Sequence, residues 1–162
     1  MGAIESCRSV GPGERTSLWN KVKGSAVDVI AAEVAIEATA GLKRVTNRER
    51  PNGYDDQSMP SDHTATSAVY TRLAADNLAL SGIEERVQLG ADITLGALTA
   101  ATGWARIEAG AHYPSDTLVG ASIGNFFADF FTAAFLAAPE SMAQLQLQAI
   151  PRGATLRWRL AF

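Results

Sequence analysis

Apolar residues recur at helical spacing through most of the chain, and the pattern changes only near the C-terminus. Residues 18–43 carry Val27, Ile30, Val34 and Ile36 among polar and alanine positions, which predicts a helix. Residues 63–81 place Ala65, Val69, Leu73 and Leu80 near one face, and Ser81-Gly82 ends the run. A third helix is expected over 84–103, where Gly90, Gly96 and Gly103 weaken the helix but permit close packing. A fourth is expected over 114–138, with Pro114 suited to its first turn and Pro139 following its end. Residues 44–62 are polar and rich in turn formers, so they read as a loop. Residues 1–16, punctuated by Gly, Pro and Ser, read as an irregular arm. In the tail, Leu145, Leu147 and Ala149 alternate with glutamines, and Leu156, Trp158, Leu160 and Phe162 alternate with Arg157 and Arg159. This period of two around Pro151-Arg152-Gly153 predicts a β-hairpin over 141–162. The expected fold is all-α: a bundle of about four core helices within 17–140, followed by a short C-terminal β-hairpin.

Composition narrows the class. A length of 162 residues argues for one domain. With 47% hydrophobic and 19% charged residues, the chain is not of the disordered type. The formal net charge of −3 speaks against sequence-independent nucleic-acid binding. A single cysteine excludes an intrachain disulfide and a Cys-rich zinc site. No His/Asp/Glu cluster stands at ligand spacing, so neither a metal nor another cofactor is expected. The N-terminal residues lack a basic start followed by an apolar run and do not read as a secretory signal, and Cys7 reads as an unpaired tail cysteine. The stretch Thr117–Ala138 is long enough to span a bilayer and is interrupted only by Asn125 and Asp129. The other helices carry Asp28, Glu33, Glu37, Arg72 and Asp76, which favours a buried core helix of a soluble protein.

Three short segments concentrate the residues that can do chemistry: 43–51, 60–63 and 106–116. They hold the chain's two histidines, His63 and His112, each at the start of a predicted helix. A helix start offers unpaired N–H groups and a partial positive charge, and so favours an anion. Lys43, Arg50 and Arg106 add three positive charges. An anion held in this way suggests phosphate, and a histidine on each side suggests nucleophilic attack or proton transfer. Taken singly, the pieces have plainer readings. Ser61 is placed to be an N-cap, and Asp116 suits a first helical turn whatever the function. Arg44, Arg48 and Glu49 read as a solvated loop face with no role.

Jointly, these segments resemble the type 2 phosphatidic acid phosphatase superfamily, which includes bacterial class A acid phosphatases and vanadium haloperoxidases. Its pattern is a Lys, six residues, then Arg-Pro; then Pro-Ser-Gly-His; then Ser-Arg, five residues, His, three residues, Asp. Here Lys43 precedes Arg50-Pro51, Pro60-Ser61-Asp62-His63 departs only at Asp62, and Ala105-Arg106 through His112 to Asp116 departs only at Ala105. The resemblance implies that His112 attacks phosphorus and that Asp116 accepts a hydrogen bond from its imidazole. It implies that His63 protonates the leaving oxygen. Lys43, Arg50, Arg106, the Ser61 hydroxyl and the Asp62 backbone N–H would then bind phosphate, without a metal. The implied activity is hydrolysis of a phosphomonoester or a lipid diphosphate. The alternatives are a non-catalytic phosphate- or anionic-lipid-binding protein and, less favoured at this length, a vanadate-dependent haloperoxidase. The resemblance also implies a periplasmic or cell-envelope location. A phosphorylated small molecule or lipid phosphate, a membrane surface and a second copy of the chain are the candidate partners.

Overall fold

The computed structural model describes residues 12–136, 144–150 and 153–159. Its body is all-helical, with α1 over Pro12–Thr46, α2 over Asp62–Leu80, α3 over Glu85–Glu108 and α4 over Pro114–Phe131. A π-helical turn, Thr132–Leu136, extends α4. The helix α1 begins at Pro12, so residues 12–16 are helical rather than part of an irregular arm. Proline is tolerated there because a first-turn N–H has no intrahelical partner to lose. The third helix runs past Gly103 to Glu108 and stops only before Gly110, whose φ of 62° favours glycine.

The core is built from small residues. Ala31, Ala32 and Ala35 of α1 pack with Val69 and Leu73 of α2 and Ala128 of α4, and Phe127 and Phe131 close over them. Val27 is buried as the periodicity predicts, but Ile30 and Leu80 are exposed. The helices approach too closely for large side chains at the contact, so alanine takes the inward positions.

The tightest approach is between α2 and α4, which share the most extensive interhelical contact. A Cβ at Gly120 would lie 2.5 Å from the Ser61 carbonyl oxygen, and one at Gly124 would lie 2.8 Å from Ala68 Cβ. Of the three α3 glycines expected to permit close packing, only Gly103 meets a neighbour, Thr117. Gly90 and Gly96 face open space.

The fourth helix is not the buried core helix its composition suggested. Its buried residues are Asp116, Thr117, Gly120, Gly124 and Ala128, whereas Leu118, Phe126 and Phe130 are exposed. Pro114–Leu136 is long and apolar enough to cross a membrane, and only 17% of its apolar window is buried. The glycine stripe that lets α4 press against α2 leaves Leu118, Phe126 and Phe130 on the outer face. Its polar interruption at Asp129 is paired with Arg72 of α2 at 2.6 Å, and Arg72 also reaches Asp76 at 3.3 Å. Burial holds the Asp76 carboxyl above the usual carboxylate range.

Beyond the bundle, Gln144–Ile150 and Gly153–Arg159 lie antiparallel, with Leu147 opposite Leu156. Residues 141–143, 151–152 and 160–162 fall outside the described set, so the hairpin expected over 141–162 is not established as a unit of the fold.

Gly120→Ala is expected to destabilise the protein by about 1–3 kcal/mol, because the new methyl meets backbone that cannot yield. Gly90→Ala, in open space on an exposed helix, is expected to stabilise by about 0.5–1 kcal/mol. Denaturant unfolding of the two variants against the parent checks both signs.

Candidate active site

One end of the bundle collects the ends of all four helices. Lys43 lies in the last turn of α1 and Arg106 in the last turn of α3, where a cation complements the carbonyl end of the helix. Ser61 is the N-cap of α2, and His63 is that helix's second residue. His112 precedes α4, and Asp116 lies in its first turn. The starts of α2 and α4 are joined directly: the Ser61 N–H donates to the Asp116 carbonyl at 3.0 Å. The α3–α4 turn is held when the His112 N–H donates to the Arg106 carbonyl at 3.3 Å.

His112 is 2% exposed. Its Nδ1 lies 2.5 Å from the Ser58 carbonyl oxygen. A carbonyl can only accept, so Nδ1 carries the proton and Nε2 keeps a lone pair. Burial is the main cause of a pKa below the ordinary histidine value, and the charges of Lys43, Arg50 and Arg106 push it the same way. The Ser58 hydrogen bond acts in the opposite direction but does not outweigh them. The three basic residues picked from the motifs therefore act together on the one buried histidine, and they add to the effect of its burial in lowering its pKa.

Lys43 and Arg50 each have a resting partner. Lys43, itself buried, donates to the Gln57 carbonyl at 2.7 Å and sits 3.3 Å from Asp62 Oδ2. The carboxylate that replaces the family glycine is thus turned onto a basic residue. Arg50 donates through Nε to Asp55 at 2.5 Å and through Nη1 to the Ala111 carbonyl at 3.2 Å. The Arg50 guanidinium holds the Asp55 carboxyl below its usual range. Arg106 Nε is buried with no hydrogen-bond partner among the described residues. A buried, unpaired guanidinium donor beside two other cations fits an anionic ligand.

Two expected contacts are otherwise arranged. Asp116 is fully buried, but it does not accept a hydrogen bond from His112. Its oxygens are taken by Arg48 Nη1 at 2.7 Å, by the Ser58 hydroxyl at 2.5 Å and by the Tyr113 N–H at 2.9 Å. Ser61 is also fully enclosed, and its oxygen accepts from the Thr64 hydroxyl at 3.0 Å and the Thr64 N–H at 3.5 Å. In this state Ser61 serves the helix start. His63 is exposed, and no hydrogen bond fixes its ring among the described residues.

Sequence reasoning missed three residues. Arg48 is not part of a solvated face: its guanidinium pairs with Asp116, donates to Ser115 Oγ at 2.9 Å and lies 4.2 Å from the Tyr113 ring centroid. Ser58 links Asp116 to His112. Asp55 holds Arg50. Only Asp55 left a signal, as an acid within a turn-rich loop five residues after a motif arginine.

The fold is an all-helical bundle that gathers three basic residues and a buried histidine at its helix ends. A family model described as the PAP2 superfamily matches residues 25–139, which is most of the chain and includes every motif residue. The chain belongs to the PAP2 superfamily, whose members are generally phosphatases. Neither the curated proteins nor the solved structures compared with the chain gave a match.

A lowered histidine pKa carries a stability consequence. Between the lowered value and the ordinary 6.5, the unfolded chain binds a proton at this position and the folded chain does not. Stability from His112 is therefore complete above about pH 6.5 and falls as the pH drops towards the lowered value. Denaturant unfolding across this window should show the loss in the parent and a flatter response in His112→Asn.

Proposed function

We propose that the protein is a metal-independent phosphatase acting through a phosphohistidine on His112. The observation that carries this reading is the convergence of Lys43, Arg50 and Arg106 on a buried histidine whose Nδ1–H is tied down and whose Nε2 is free to attack. The three cations bind the phosphoryl oxygens, where transition-state charge is spread. The Nε2 lone pair forms a bond to phosphorus as the bond to the leaving oxygen breaks, and His63 gives that oxygen its proton. His63 then takes a proton from water, the resulting hydroxide attacks phosphorus, the P–N bond breaks and inorganic phosphate leaves. Asp62 contributes its backbone N–H at the start of α2, while Ser61 orders that helix start and turns its hydroxyl to phosphate on binding. No step requires a metal.

The substrate is a phosphomonoester or a lipid diphosphate. An apolar groove of about 380 Å³ supports the lipid form. It is lined by Leu42, which immediately precedes Lys43, and by Val119, Ile123 and Phe126 of α4. A periplasmic or cell-envelope location, association with a membrane surface and self-association belong to this reading as proposals. The exposed large apolar residues on α3 and α4 support both kinds of association.

Hydrolysis of a chromogenic phosphate ester in the presence of a chelator tests the reaction. His112→Ala should lower the rate at least about 1,000-fold, as loss of a nucleophile does. Full activity in that variant would sink the mechanism. Peroxide-dependent bromide oxidation with added vanadate would favour the haloperoxidase instead. Binding of phosphate without turnover would favour the non-catalytic alternative.

Asp62 competes with phosphate for Lys43 in this arrangement. Asp62→Asn should tighten inhibition by inorganic phosphate about 5-fold, equivalent to ~1 kcal/mol for a partly exposed pair. Inhibition constants measured for parent and variant check this.

A further inference from the structure

We infer that Arg48 is a positioning residue that sets the tautomer of His112 through Asp116 and Ser58. This rests on the reading of His112 as the nucleophile, and it adds a residue that the family pattern leaves unspecified among the six between Lys43 and Arg50. Arg48, Asp116 and Ser58 form a closed ring of hydrogen bonds, and His112 is joined to it through the Ser58 carbonyl. The Arg48 guanidinium donates to Asp116 Oδ1 at 2.7 Å. Asp116 Oδ2 accepts from the Ser58 hydroxyl at 2.5 Å. The Ser58 carbonyl accepts the His112 Nδ1 proton at 2.5 Å. The Ser58 N–H returns to the Arg48 carbonyl at 2.9 Å and closes the ring.

Each link has a physical reason to hold. Asp116 and Ser58 are both fully buried, so neither can exchange its partner for water. The only salt-bridge partner of Asp116 among the described residues is Arg48. Arg48 is in turn fixed by Ser115 and by the face of Tyr113, 4.2 Å away. Ser58 is therefore gripped at both its N–H and its hydroxyl, and its carbonyl is aimed at one ring nitrogen. An imidazole with a fixed acceptor at Nδ1 keeps its lone pair at Nε2. Were the carbonyl free to swing, the ring could place its proton on Nε2 and lose its nucleophilic lone pair. Arg48 thus does at a distance what a direct Asp116–His112 hydrogen bond was expected to do.

The test exploits the count of two histidines, His63 and His112. Histidine-selective ¹⁵N labelling of the full chain yields two ring spin systems, which His63→Gln assigns. The parent should show His112 in the Nδ1–H form alone. Arg48→Ala and Ser58→Ala should each show mixed tautomers, and Arg48→Lys, which restores a charge to Asp116, should recover most of the parent spectrum. In the ester assay, kcat should fall about 10- to 100-fold, as expected for a group that orients a reacting residue, with KM within about twofold. Arg44→Ala, a nearby exposed arginine without a role here, should leave both readouts unchanged.

Should Arg48→Ala fail to fold, Ser58→Ala carries the test, because it keeps the charge pair intact. A folded Ser58→Ala with a pure Nδ1–H His112 and an unchanged kcat would overturn the inference. A rise in KM with kcat unchanged would also overturn it, since that would place Arg48 in substrate binding. The tautomer measurement needs no turnover, so a protein that hydrolysed no ester would refute the proposed reaction while the spectrum still decided the role of Arg48.

Discussion

The contact between α2 and α4 at Gly120 and Gly124 is the constraint on which the site depends. It lets one helix backbone rest against the other with no side chain between. Because the contact includes Ser61, it fixes the two helix starts as well as the two helices. The Ser61 N–H can then bond to the Asp116 carbonyl. Two positive helix ends, one carrying His63 and the other following His112, are thereby held side by side. A methyl group at either glycine would separate them and loosen every contact that crosses between the two starts.

Helix ends placed this closely would repel the cations gathered around them unless the charges were shared out. The structure does this with acids from different segments: Asp62 takes Lys43, Asp55 takes Arg50 and Asp116 takes Arg48. Arg106 Nε is left without a hydrogen-bond partner among the described residues. The positive field of Lys43, Arg50 and Arg106 adds to burial, the larger cause, in lowering the His112 pKa. One arrangement thus does two things. It stores the cations that an anion would recruit, and it favours the uncharged form of His112, the form that the proposed attack on phosphorus needs. Arg48 differs from the others in that its partner Asp116 lies behind the histidine, and its effect reaches the ring through Ser58.

Much of the fold was legible because helix formation is local. The four helices lie where the apolar spacing, Pro114 and Ser81-Gly82 put them, with ends displaced by a few residues. Which residues face inward was less legible. Ile30 and Leu80 fit a helical stripe yet are exposed, while Ala31, Ala35 and Ala128 form the core. A stripe of large residues marks the core only when helices stand at ordinary separation. Here glycine and alanine bring them closer, and Leu118, Phe126 and Phe130 of α4 turn outward. The motif residues were legible for another reason. Lys43, Arg50 and Arg106 are charged groups at the spacings of the family pattern, and the structure gathers them around buried His112.

The sequence by itself determined the helices, the family pattern and the charged groups available to a phosphate, because each depends on residues near one another in the chain. Only the tertiary structure decided which partner each group takes. Asp116 lies 68 residues from Arg48 and 58 from Ser58, and it binds both rather than His112, its near neighbour. The reason is geometric. Asp116 sits in the first turn of α4, where its carboxylate turns back to cap Tyr113 and faces the loop that precedes α2. That loop brings a guanidinium and a hydroxyl to a buried carboxylate that must be satisfied, and the histidine finds its acceptor in the same loop.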